Sequence, residues 1–136
     1  MSANLALQKA LRAVMVGRAE LVALVPAASI LDRNARPTPS PSIILGETQE
    51  LDGGFANGGS VQIVHTLHLW KEEVSLAGVR AIGWQIRQAL RAGRVALEGG
   101  FVLAGWTSTA RYIRDPDGVT SHGIVTVTAT LTGGGL

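Results

Sequence analysis

Residues 61–92 read VQIVHTLHLWKEEVSLAGVRAIGWQIRQALRA, and along them the spacing of apolar residues changes from every second position to every third or fourth. Val61, Ile63, His65, Leu67 and Leu69 fall on one side of an extended chain. Gln62, Val64, Thr66, His68 and Trp70 fall on the other, so 61–70 is the longest predicted strand. From Val74 to Ala92 the pattern is helical: Gly78, Ile82, Ile86, Ala89 and Leu90 lie within one arc, with Val74 and Val79 at its edges. Gly93 then stops the helix. A half-apolar strand followed by a half-apolar helix predicts a sheet with helices packed on it.

Upstream, Leu7, Leu11 and Val14 recur at helical spacing and predict a helix over 4–16, capped by Ser2 or Asn4. A shorter helical piece spans 19–24 and ends at Pro26, and residues 30–32 read as a short extended segment. Pro37, Pro39 and Pro41 make 34–41 a stiff loop. A strand begins at Ser42 and continues toward Leu51, and a glycine-rich loop over 52–60, with Phe55 near its middle, joins it to 61–70 as a hairpin.

Downstream, residues 101–106, extended by 107–114, predict a strand, and Asp115-Pro116-Asp117-Gly118 is a turn. In 123–132, Val125, Val127, Ala129 and Leu131 alternate with Thr126, Thr128 and Thr130, as in a strand with one buried face. Gly133-Gly134-Gly135 reads as a loose tail. The order helix, hairpin, helix, hairpin predicts an α+β fold: a mainly antiparallel sheet of four or five strands with two helices on one face. At 136 residues, 1–136 is read as a single domain without internal repeats.

Hydrophobic residues make up 46% and charged residues 16%. The charged share is below the roughly 25% usual for soluble proteins, as expected of a chain that works in an assembly. The formal net charge of +2 is too weak to argue nucleic-acid binding. No apolar run approaches the ~20 residues needed to span a bilayer, and Gln8, Lys9, Arg12 and Arg18 interrupt any signal-like core. A protein made and folded in the cytoplasm is the expectation, with no membrane partner.

Catalytic chemistry finds little support. The chain has no cysteine, hence no thiol nucleophile and no disulfide. His65 and His68 are an odd number of strand positions apart and point to opposite faces, and His122 sits near a turn, so no metal set is assigned. Glu72-Glu73 suits a helix start, and Asp115 with Asp117 suits the turn. The glycines at 53–59 lack a following Lys-Ser or Lys-Thr and precede a strand, unlike a phosphate loop. No catalytic residue, metal or cofactor is expected. The informative surface is the far arc of the second long helix, Arg80, Trp84, Arg87 and Arg91: Trp and Arg are enriched where proteins meet. Helix and hairpin edges are the expected places of subunit contact.

A series of short motifs runs from Ala6-Leu7-Gln8-Lys9-Ala10-Leu11 through Leu21-Val22-Ala23-Leu24-Val25 and Ile30-Leu31-Asp32 to Pro41-Ser42-Ile43-Ile44-Leu45-Gly46. Leu67-His68-Leu69-Trp70, Asp115-Pro116-Asp117-Gly118 and His122-Gly123-Ile124-Val125 complete it. In this order the motifs resemble the tail-completion, or tail-terminator, proteins of long-tailed phages, prophages and gene transfer agents. The chain departs from the family at Leu31, where a Tyr is common, at Ser42, where an aromatic is common, and at Lys71, where a Ser is common.

The resemblance implies a ring, commonly hexameric, that caps the head-proximal end of the tail tube at the head–tail junction of the particle. It implies as partners further copies of the chain, the tail tube protein and a neck or head-closure (stopper) protein, with DNA passing through the lumen without specific binding. Trp84, Arg80, Arg87 and Arg91 are then expected at an interface, and Phe55 at a partner-facing rim. The alternatives are a neck or head-closure adaptor and a small cytoplasmic enzyme or ligand-binding domain, for which an inward His65 beside an acid would be the sign.

Overall fold

The computed structural model describes residues 1–32, 39–53, 58–93 and 95–136. The elements run α1 (Ala3–Val16), α2 (Ala19–Val22), a 3-10 turn (Ala27–Ser29), β1 (Ile30–Leu31), β2 (Ser42–Asp52), β3 (Ser60–Lys71), α3 (Ala77–Ala92), β4 (Phe101–Arg114) and β5 (Ser121–Gly133). The five strands form one sheet in the order β1-β2-β3-β5-β4. All pairs are antiparallel except β1 with β2. This is the expected α+β architecture, with the closing hairpin folded so that β5 lies between β3 and β4.

Alternation sets the two faces. Ile63, Leu67 and Leu69 of β3 and Val125, Val127, Ala129 and Leu131 of β5 are fully buried, together with Leu7, Leu11 and Met15 of α1 and Val79 and Ile86 of α3. They belong to one core cluster, so both long helices pack on this inner face. Each of these side chains except Ala129 contributes about 1.5–3 kcal/mol through removal of apolar surface from water. No described helix covers the outer face, where Val64, Thr66, His68, Ile124, Thr126 and Thr128 stay partly exposed.

Ser2 caps α1 by accepting from the Leu5 N–H at 3.1 Å. α3 begins at Ala77, three residues later than the periodicity predicts, and Val74 is 64% exposed. Side chains outside the helix explain this. Ser75 Oγ accepts from the Ala77 N–H and Glu73 Oε1 from the Gly78 N–H. The Ser121 hydroxyl donates to the carbonyls of Glu73 and Ser75, which holds residues 73–75 against β5 instead of in a helical turn. Leu76, not Val74, turns into the core.

The C-terminal glycines also depart from expectation. Gly133 pairs with Phe101, and the Gly134 N–H donates to Gly100 O at 3.0 Å. Gly134 has φ +61° and lies so close on the Phe101 ring that a Cβ there would fall 2.3 Å from it. The segment is therefore a seated turn at the sheet's end, not a loose tail.

Candidate interaction surface

Spacings of four, three and four residues place Arg80, Trp84, Arg87 and Arg91 on one side of α3. β5 and β3 hold the opposite side, and the arc hangs over β4, which is an edge of the sheet. Arg87 is tied down there: its Nε donates to Ser108 Oγ at 3.2 Å and its Nη2 to the Ser108 carbonyl at 3.4 Å. Trp106 Nε1 donates to the Leu90 carbonyl at 2.9 Å, a second tie between β4 and α3. Gly83 permits the close approach, because a Cβ there would lie 2.0 Å from the Tyr112 hydroxyl. Burial raises the Tyr112 pKa, and the positive charges of Arg87 and Arg80 work against that rise.

Trp84 is 53% exposed, and the Arg91 guanidinium carbon sits 5.8 Å from its ring centroid, within cation–π range. Among the described residues none of these three arginines forms an ion pair. The four side chains named from the sequence thus share one exposed, basic patch above a sheet edge. Phe55 lies outside the described residues.

A second polar group lies on the outer face, assembled by strand pairing. A bulge in β2 between Leu45 and Thr48 adds one residue against β3, and Gly46 lets the bulged backbone pass His68, where a Cβ would fall 2.7 Å from the ring. This brings Glu47 Oε1 to 2.6 Å from His68 Nε2. His68 Nδ1 and His122 Nε2 share a hydrogen bond of 2.9 Å, and His122 stacks on Trp70 at 3.8 Å between centroids and 8° between planes. The hydrogen bond to His68, first, holds the Glu47 carboxyl below its ordinary pKa. Burial, with the adjacent His68 next, pushes His122 down to about 4. The array is therefore an anchored patch in which His122 is neutral near pH 7 and the Glu47 carboxylate lies at one end.

His65 faces the core, as the strand periodicity predicts, and is fully buried. Burial lowers its pKa, so it is held neutral. Neither ring nitrogen has a hydrogen-bond partner among the described residues, and no acid is hydrogen-bonded to it. The Glu47 charge acts on the inward histidine only from a distance, against the larger effect of burial. Among the described residues no three His, Cys, Asp or Glu side chains form a metal-binding group. A shallow groove of about 590 Å³ between α1 and the end of α3 is lined mostly by small apolar residues such as Ala10, Ala13, Val14, Ala89 and Ala92. Its charged lining is Arg18 and Glu20, which pair with each other at 3.7 Å. No described helix is long and apolar enough to cross a membrane.

Sequence reasoning separated His65 from His68 correctly but missed that His68 meets His122. Trp70 pairs with His122 and His68 with Ile124 across β3 and β5, and aligning the two alternating strands in register would have exposed the contact.

Over residues 9–132 the sequence matches the family described as tail completion protein gp17. Among curated proteins no sequence matches it. A chain from the virion of a native gene transfer agent particle has the same fold, with a TM-score of 0.85 at 20% identity over 97% of this chain and 98% of that chain. The bacteriophage SPP1 gp17 protein superposes with a TM-score of 0.63 at 26% identity over 94% of this chain and 90% of that chain.

Proposed function

Since this chain belongs to the tail completion protein gp17 family, we propose that it acts as a ring of identical copies seated at the head–tail junction. The chain is a structural tail-terminator protein of a phage-like particle. In the proposal the ring, hexameric as the family resemblance suggests, caps the head-proximal end of the tail tube. One rim stops addition of tube subunits and the other docks a neck protein. Binding alone does the work, with no catalytic step and no cofactor.

The observation that carries the reading is the family match across nearly the whole chain. The exposed Trp84 with its three arginines supports it, because Trp and Arg provide large, well-defined contacts when buried between subunits. We place Trp84, Arg80, Arg87 and Arg91 in a subunit contact, and keep Phe55 as a residue of the partner-facing rim.

The test is the mass of the purified protein, with negative-stain images alone and with tube protein. A ring that decorates tube ends is expected. A strict monomer that ignores tube ends contradicts the reading, and a ring that binds a neck ring but not tube ends turns it to a head-closure adaptor.

A further inference from the structure

The two long sides of the sheet differ in charge. On one side β4 is an edge strand of 14 residues with no strand on its outer side among the described residues; Arg87 holds the Ser108 carbonyl there, and Arg91 stands beside it. Arg111 and Arg114 lie exposed farther along the same strand. On the other side β1 pairs only with Ile43 and Ile44, so residues 48–52 of β2 have no outer strand partner among the described residues. That stretch is about 17 Å long at ~3.4 Å per residue. It carries Glu50 and Asp52, both exposed and without an ion pair among the described residues.

The register sets the levels. Thr48 pairs with His65, His65 with Val127 and Val127 with Ser108, so the free stretch of β2 begins at the height of Ser108, where Arg87 is anchored. Asp52 is level with Leu103 by the same route. Glu50 and Asp52 pair with Ile63 and Val61, both packed in or against the core, so the two carboxylates lie on the face that α3 covers. Glu50 is level with Trp106 and Asp52 with Leu103, so the two carboxylates lie two and four strand positions beyond the level at which Arg87 is anchored, on the same face and on the opposite side of one sheet.

We infer that copies of this chain join head to tail, the β4 edge of one subunit pairing with residues 48–52 of β2 in the next. The inference deepens the ring reading above and rests on it. Like edges repel: β4 on β4 sets arginines against arginines, and β2 on β2 sets carboxylates against carboxylates. Only β4 on β2 brings opposite charges together while completing both backbone edges. Direction agrees as well. β2 and β4 run in opposite senses within the sheet, so two subunits held in the same orientation make an antiparallel β4–β2 pair and keep their helices on one side. A contact of this heterologous kind, repeated with a rotation that closes, makes a ring.

The absence of cysteine makes the test clean. Gln49 and Thr107 are exposed outer-face residues at the same height, through Val64 and Thr128. Under mild air oxidation, a mixture of Q49C and T107C chains should yield a disulfide-linked dimer. Each variant alone should yield none, and the doubly substituted chain should yield a ladder. T109C against Q49C covers a shift of one strand repeat. In parallel, the R87E/R91E chain and the E50R/D52R chain should each assemble at least tenfold more weakly than the parent by mass measurement, and mixing them should restore assembly. Rings of normal mass in which neither T107C nor T109C links to Q49C overturn the edge pairing and leave the ring standing. So does failure of the mixed charge-reversed chains to recover when both are folded by circular dichroism. A parent chain that stays monomeric at all concentrations overturns the ring and this contact together.

Discussion

The two faces of the sheet use the same strands for opposite ends. On the inner face of β3 and β5, Ile63, Leu67, Val125, Val127 and Leu131 are fully buried under α1 and α3. On the outer face, one residue away at every step, Thr126, Thr128, Thr130, His68 and Trp70 keep partial contact with solvent. Alternation of period two separates them, so stability is concentrated on one face while the other, with the two charged edges, is free to meet partners. In a protein whose work is fitting against others, this explains how the outer face stays free for contact while the fold still has a well-packed core.

Breaking the inner face should have the largest effect. Leu67→Ala should cost about 3 kcal/mol in urea unfolding at pH 7, whereas Thr126→Ala on the outer face should stay within about 0.5 kcal/mol. Comparable losses at the two sites would abolish the contrast. Next is the contact that holds α3 over the β4 edge. Gly83→Ala forces Tyr112 aside and should cost about 2 kcal/mol, with partial recovery when Tyr112→Phe removes the nearest atom. Absence of coupling between the two substitutions would show that the ring is not what the added methyl meets.

The fully buried His65 is a polar exception on the inner face. Its nitrogens find no described partner, so His65→Leu should leave stability unchanged or raise it by about 1 kcal/mol. A loss of 2 kcal/mol or more would mean that the imidazole is satisfied after all.

The smallest effect belongs to the outer face and depends on pH. His122 is held below its ordinary pKa, at about 4, so the folded state resists its protonation. Its contribution is fully present above about pH 6.5 and is lost as the pH falls toward 4, because the unfolded chain binds the proton first. Solvent screening at this half-exposed site holds the loss to about 1 kcal/mol. His122→Asn should remove that slope, and a titration of the His122 ring protons by NMR that gave an ordinary midpoint would contradict it.

Much of this was legible in the sequence because it depends on local periodicity. The faces of β3 and β5, the core arc of α3 and the Arg80, Trp84, Arg87, Arg91 patch follow from spacings of two, three and four residues. What escaped depends on residues far apart in the chain. The start of α3 is set by Ser121, more than forty residues downstream, which holds the carbonyls of Glu73 and Ser75. The meeting of His68 with His122 needs the β3–β5 register. The opposition of the acidic and basic edges needs β5 to lie between β3 and β4, an order that no periodicity carries.

We propose that this chain ends tube growth by binding alone. The most direct measurement is the length of tubes assembled from tail tube protein, by electron microscopy, with and without the purified chain. Tubes should stop lengthening once the chain is present, each bearing a ring at one end. Tubes that keep lengthening at the same rate, with bare ends, would contradict it.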